Sequence, residues 1–264
     1  MTDIIPYVSK LFIYPIKSLD KISLETVTIL KSGALKDDRR LAIFDSSGKF
    51  VNGKRNHKIH SIRSHFNLED KTISLSIQGT NDTNIFHLEQ DLEALTNWLS
   101  KYFGFPVTIK QNPESGFPDD TLSPGPTIIS TATLEAIASW YQDLTVEEIR
   151  SRFRANIEIS GVPAFWEDRL FTVAGKTINF QIGNVQFRGI NPCQRCIVVT
   201  RDSQTGEPTQ NFQQTFINQR RKTLPEWVDK SRFNHFYKLA LNTRLPVTEV
   251  GKKINLGDQL KIKP

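Results

Sequence analysis

The sequence predicts a β-rich α+β fold, and three observations carry the prediction. Short apolar runs with period-two alternation recur along the 264 residues, separated by turns that contain glycine. Helical spacing is confined to a few segments. One stretch, 112–127, holds four prolines and two glycines and separates an N-terminal from a C-terminal part.

The elements follow in order. Val8, Lys10 and Phe12 alternate with Ser9, Leu11 and Ile13, which predicts a strand that ends or edges at Pro15. Leu41–Phe44 is an apolar run closed by the turn 45–48. In Thr72–Ile77, alternation puts Ile73, Leu75 and Ile77 on one face. Leu88, Leu92, Leu95, Leu99 and Tyr102 recur at helical spacing, and Gly104 stands where a C-terminal cap belongs. The proline-rich stretch reads as a long loop or linker.

Beyond it, Ser130 or Thr131 caps a short helix carrying Leu134, Ile137 and Tyr141, and Thr145 with Glu148 has the capping-box pattern of a second. Strands are expected at 156–159, 170–173, 177–180, 185–187 and 196–200, which suggests a barrel or sandwich. Phe212, Phe216 and Gln219 fit one more helix, and 254–262 reads as a closing strand pair.

Composition narrows the function. The chain is 38% hydrophobic and 23% charged, an ordinary globular balance. Apolar runs fall short of the ~18 residues that span a bilayer. The N-terminus carries an acid early and lacks a basic segment followed by an apolar one, so no secretory signal and no membrane are expected. Both cysteines sit in one C-x-x-C, too few for a disulfide scaffold, and a reducing cytoplasmic location is expected. The net charge of +6 is uneven: residues 1–122 carry 15 basic and 15 acidic side chains, and residues 123–264 carry 19 and 13. Basic and aromatic residues there do not interleave as a recognition motif, so no nucleic-acid partner is expected.

The sharpest local feature is the run 191–207 around Cys193 and Cys196. A thioredoxin-type dithiol sits at a helix N-terminus, whereas Cys196 runs into β-branched residues expected to form a strand. Structural zinc needs two more ligands. The clustered candidates are His57, His60 and His65 in the other half, which read more simply as a polar loop and strand. An iron–sulfur centre needs four thiolates. The option left is one thiolate held to a metal already carried by a cofactor, with Arg195 favouring its ionised form. Cys193 reads as a free cysteine without a role. Lys17 and Ser18, the Asp38-Arg39 pair, and Arg154 with Asn156 are basic or polar groups suited to phosphate. The last two are expected on one side of an extended chain.

Together, residues 14–18, 38–39, 153–157 and 191–206 resemble, in order, the motifs of the MOSC-domain proteins. More narrowly they are similar to the branch with an N-terminal MOSC-N region, which includes the mitochondrial amidoxime-reducing component family. The likeness covers nearly the whole chain. It implies a MOSC-type β-barrel with a smaller α/β N-terminal region, and binding of the molybdenum cofactor (Mo-molybdopterin). It further implies Cys196 as the metal ligand and catalytic residue, and Lys17, Ser18, Arg39, Thr131, Arg154, Asn156, Gln194 and Arg195 as cofactor contacts. Departures are Leu19-Asp20 near a common glycine position, Ala155 for a common proline, and Lys54 for a frequent arginine.

The activity implied is reduction of small N-hydroxylated substrates by oxygen-atom transfer to the metal. The alternative is a sulfur carrier or a cofactor-binding protein without reductase activity. Pyridoxal phosphate is not implied, because the chain shows no desulfurase domain. Some relatives carry a C-terminal ferredoxin domain; this chain ends at Pro264 without further cysteines. A separate electron-donor protein of flavin, iron–sulfur or haem type is therefore expected. The expected organisation is 1–122 and 123–264, with residues 1–40 packing on the barrel and 41–122 as an insert, because the motifs of both parts must meet at one cofactor.

Overall fold

Alternating and apolar runs become strands in the computed structural model, which describes residues 5–263; the first four residues of the N-terminal stretch lie outside it. In chain order the N-terminal part holds β1 (Tyr7–Ile13), β2 (Ile22–Leu24), β3 (Thr26–Thr28), β4 (Leu41–Asp45), β5 (Ile62–Asn67), β6 (Thr72–Ile77) and β7 (Thr83–His87). Helix α1 (Leu92–Phe103) and β8 (Val107–Gln111) complete it. After the proline-rich stretch come β9 (Ile128–Ser130), α2 (Thr131–Ala138), α3 (Val146–Phe153), β10 (Ile157–Ser160), β11 (Ile178–Ile182) and β12 (Val185–Gln194). The chain closes with α4 (Phe212–Lys222), β13 (Lys238–Arg244), β14 (Lys253–Asn255) and β15 (Leu260–Ile262). The β-rich α+β class is as the sequence predicts.

The main sheet has eight strands in the order β15-β11-β12-β13-β9-β10-β1-β2. Its pairs are antiparallel except β9 with β10. A parallel pair needs a long crossover, and α2 and α3 supply it, delivering residues 154–156 to the start of β10. Strand β1 is held on one edge by β10. On the other, Leu11–Ile13 pair with β2, while Val8 and Pro6 bond the backbone of residues 257–260 leading into β15, at 2.8–2.9 Å. A bulge between Val8 and Lys10 marks the change of partner. The two ends of the sheet are thus tied through β1, and the sheet rolls on itself.

Strand β3 pairs with β14. A meander β5-β6-β7 and the pair β4-β8 make the rest of the N-terminal part. Three buried clusters result. One lies inside the main sheet and includes Val8, Leu11, Ile157 and Phe180. A second joins β4–β7 to α1 through Ile43, Ile73, Leu75, Leu95 and Leu99, with Ile77 against its edge. The third packs α2, α3 and α4 through Leu134, Ile149 and Phe216. No helix among the described residues is long and apolar enough to cross a membrane.

Local signals hold where the partners are local. Ser130 caps α2 through the amide of Thr133, Thr145 caps α3 through that of Glu148, and Gly104 ends α1 in the left-handed region at φ 81°. The capping box at Thr145 is half made, because the Glu148 carboxylate turns to Arg152 and Ser203. Tyr141 lies beyond the end of α2.

Two expectations are corrected and a third is narrowed. Residues 170–173 form no strand: Leu170 ends a 3-10 turn (Trp166–Leu170). Its carbonyl packs over Gly189 of β12, whose edges are both taken by β11 and β13. Residues 254–262 contain two strands, but these pair with β3 and β11 rather than with each other. Stretch 112–127 is the long loop of the two readings and not the linker, since Phe117 bonds Arg39 through its amide at 2.8 Å and Lys17 through its carbonyl at 2.8 Å.

Candidate functional site

Strand β1 ends at Ile13, and the next turn carries Tyr14, Lys17 and Ser18 to the junction of the two parts. There Lys17 and Ser18 line a cavity of about 450 Å³ together with Arg39, Arg154, Asn156 and Cys193–Cys196, all named from sequence, while Tyr14 lies behind the wall. That volume is within the ~300–1,000 Å³ of small-molecule sites. Six cationic side chains line it, Lys17, Arg39, Lys54, Arg152, Arg154 and Arg195, against the carboxylates Asp38, Asp119 and Asp120. The surplus suits an anion.

Each group is held by a specific device. Lys17 is buried, and its Nζ reaches the Phe117 carbonyl and Asp119 Oδ1, both at 2.8 Å. Burial lowers the Lys17 ammonium, with Asp119 opposing. Burial alone would raise Asp119, but Lys17, then Arg39 and Lys54, hold its carboxyl well below the usual range. Asp119 itself stands on the rim, open to solvent. Arg39 pairs with Asp38, whose other oxygen accepts the Tyr14 amide at 2.9 Å. Tyr14 is fully buried under the guanidinium groups of Arg154, at 4.0 Å, and Arg39, at 5.2 Å. Burial pushes its hydroxyl up to about 12, those two arginines opposing.

Arg154 is the left-handed cap of α3 at φ 53°, so it does not sit on an extended chain with Asn156. The turn brings both to the cavity. Arg154 donates to the Leu19 carbonyl at 2.7 Å. The buried Asn156 amide is spent on structure: its Nδ2 bonds the Phe12 carbonyl at 3.1 Å, and its Oδ1 accepts from the Thr127 amide at 3.2 Å. Ser18, Arg39 and Arg154 all have positive φ, at 74°, 49° and 53°. A side chain in that region costs energy, and such strain gathers at functional sites.

Residues 197–200, expected to extend a strand, wind into a 3-10 turn after Cys196, closed by Thr200 Oγ1 on the Ile197 carbonyl at 2.7 Å. Buried Val199 anchors it in the helical cluster. Both cysteines are free and partly buried. Arg195 stacks on Phe153 at 5.0 Å and donates 2.7 Å to its carbonyl. Its other arm reaches Cys193 Sγ at 3.2 Å, so this guanidinium serves Cys193 rather than Cys196. Gln194 lies exposed on the lining at the end of β12.

Thr131 is not brought in. Its hydroxyl bonds Glu158 at 2.8 Å and Ser160 at 2.7 Å on the sheet, and it is absent from the lining. Asp119 and Tyr14 were not assigned from sequence. Tyr14 could have been found as the aromatic leading the Lys17 motif, whereas nothing local marks Asp119. His57, His60 and His65 do not assemble a site: among the described residues no three His, Cys, Asp or Glu side chains gather to hold a metal by themselves.

The residues fit an anionic cofactor that brings its own metal. Buried Arg195 Nε has no partner, and no carboxylate of the described residues lies within ion-pair distance of Arg154 or Arg195. Two sulfurs stand on the same lining.

Residues 5–106 match the family described as the MOSC N-terminal beta barrel domain, and residues 127–261 match the MOSC domain. Curated relatives include the proteins named molybdenum cofactor sulfurase of Bos taurus, 24% identical over 82% of this chain, and of Danio rerio, 26% identical over 76%. The human protein of that name is 24% identical over 81%. The chain spans 28–29% of these relatives' own length.

Proposed function

The chain belongs to the MOSC-domain family, and from that premise we propose that it binds the molybdenum cofactor and reduces small N-hydroxylated compounds. The observation that carries the reading is the meeting, on one lining, of a Cys196 thiol with the charge-unpaired guanidinium groups of Arg154 and Arg195. Lys17, Ser18, Arg39 and Arg154 would hold the cofactor's phosphate, and Cys196 its metal. The bound cofactor supplies two-electron redox chemistry at that thiolate.

This chain's residues bind and orient. Tyr14 fixes the planes of Arg39 and Arg154 from beneath, and Asn156 pins residue 127 of the wall to β1. A phosphate at Lys17 must share that ammonium with Asp119. Reduction takes up two electrons and two protons and releases the hydroxyl oxygen as water, the electrons coming from a separate flavin, iron–sulfur or haem protein.

Protein made in a cofactor-competent host is expected to carry molybdenum and to reduce benzamidoxime with an artificial donor. Cys196→Ala is expected to lose this turnover entirely, and full activity in the variant would overturn the assignment. The relatives' name favours a second reading, sulfur handling through a persulfide on Cys196. Mass spectrometry of the native protein separates the two: a persulfide there without turnover selects the second.

A further inference from the structure

A second cavity, of about 280 Å³, lies against the first and shares the wall residues Ser18, Gly53, Arg152, Arg154 and Val198, Arg152 being paired with Glu148 at 2.6 Å. Arg63 and Arg201 line only this one, with Lys21 and His60. Lys21 is neutralised by Glu147 at 2.6 Å, and Arg63 by Asp20 at 3.2 Å. Arg201 and Arg154 have no carboxylate of the described residues within ion-pair distance; Arg201 donates to the Gly206 carbonyl at 2.9 Å. Two buried nitrogens on this lining, Arg63 Nε and Arg201 Nε, make no hydrogen bond. Unpaired buried donors are costly and are kept where a ligand satisfies them. Burial chiefly, then Arg154 and Arg201, press the His60 imidazole down to about 4.

We propose that this second cavity is an oxyanion subsite, taking a carboxylate or phosphate group of the small molecule whose reacting end enters the first cavity. The link to the reacting end rests on the reductase reading; the oxyanion site itself does not. Arg201, which lines only this cavity, supplies the charge, and the two spaces adjoin along their shared lining residues. Glu147, on the rim, works against binding.

The test uses cofactor-loaded protein and calorimetry at low salt, with benzamidoxime, its 4-carboxy derivative and inorganic phosphate as probes. The carboxylated compound is expected to bind about tenfold more tightly than the neutral one, the worth of one charge-assisted contact. Arg201→Gln removes that advantage and leaves the neutral compound unchanged. Glu147→Gln, an exposed substitution that spares the fold, enlarges it. Equal binding of both compounds to the unaltered protein, or an advantage indifferent to both substitutions, overturns the proposal. If neither compound binds while phosphate does, and Arg201→Gln weakens phosphate, the oxyanion site stands and the reductase reading falls.

Discussion

At the scale of single residues, the site is built from side chains held where they are costly. Ser18, Arg39 and Arg154 occupy the left-handed region without being glycine, a feature no local sequence pattern announces. Their chemistry was legible as Lys, Ser and Arg in loop settings; their strain was not. A costly group also lies away from the cavity. Glu167 is buried, with Oε2 accepting the Thr133 hydroxyl at 3.0 Å and Oε1 without a partner. Burial, then neighbouring Asp168, push its carboxyl up to about 7. Below the unfolded value of ~4.5 both states hold the proton; between there and about 7 only the folded state does. Stability from this group is therefore present at low pH and lost as pH rises through that window. Glu167→Gln is expected to flatten the slope and add on the order of a few kcal/mol above pH 7. Urea midpoints at pH 5 and pH 8 check this, and an unchanged difference between them would refute it.

At the scale of elements, what the sequence shows depends on whether partners are near in the chain. Caps at Ser130, Thr145 and Gly104 were legible because each closes within four residues. Residues 170–173 and 196–200 read as strands from their apolar and β-branched content, but a strand needs a free edge, and β12 has none to offer the first of them. The proline-rich stretch shows the same limit: it looks like a linker until Asp119 is seen against Lys17, 102 residues away. Its docking depends on Gly116, at φ 64°, where a Cβ would lie 2.3 Å from the Asp38 carbonyl oxygen. Gly116→Ala must push the loop off the Asp38-Arg39 turn. We expect a loss of roughly 1–3 kcal/mol in urea unfolding and reduced molybdenum retention, because Lys17 and Arg39 lose their shared support. An alanine variant with unaltered stability and metal content would show that the loop is not part of the wall.

At the scale of the molecule, the charge surplus and the fold have one explanation. The excess of +6 falls in residues 123–264, yet the cavity also draws Lys17, Arg39 and Lys54 from the balanced N-terminal part. The site exists only when both parts are assembled, and the sheet enforces this: β1 lies between β10 and β2, and β3 is the partner of β14. Of the twenty buried residues in the main-sheet cluster, six come from the first 35 residues: Val8, Leu11, Ile13, Val27, Ile29 and Leu35. At ~1.5–3 kcal/mol for each buried aliphatic side chain, their loss matches the whole ~5–15 kcal/mol that keeps a typical domain folded. A fragment of residues 123–264 is therefore expected not to fold alone. It should show no cooperative thermal transition and should bind apolar dyes, whereas the full chain gives β-rich circular dichroism and cooperative unfolding. Recovery of a cooperatively folded 123–264 fragment would mean that β10 and β14 need no partner from the N-terminal part, and that the cavity is assembled by docking two finished domains rather than by folding one sheet.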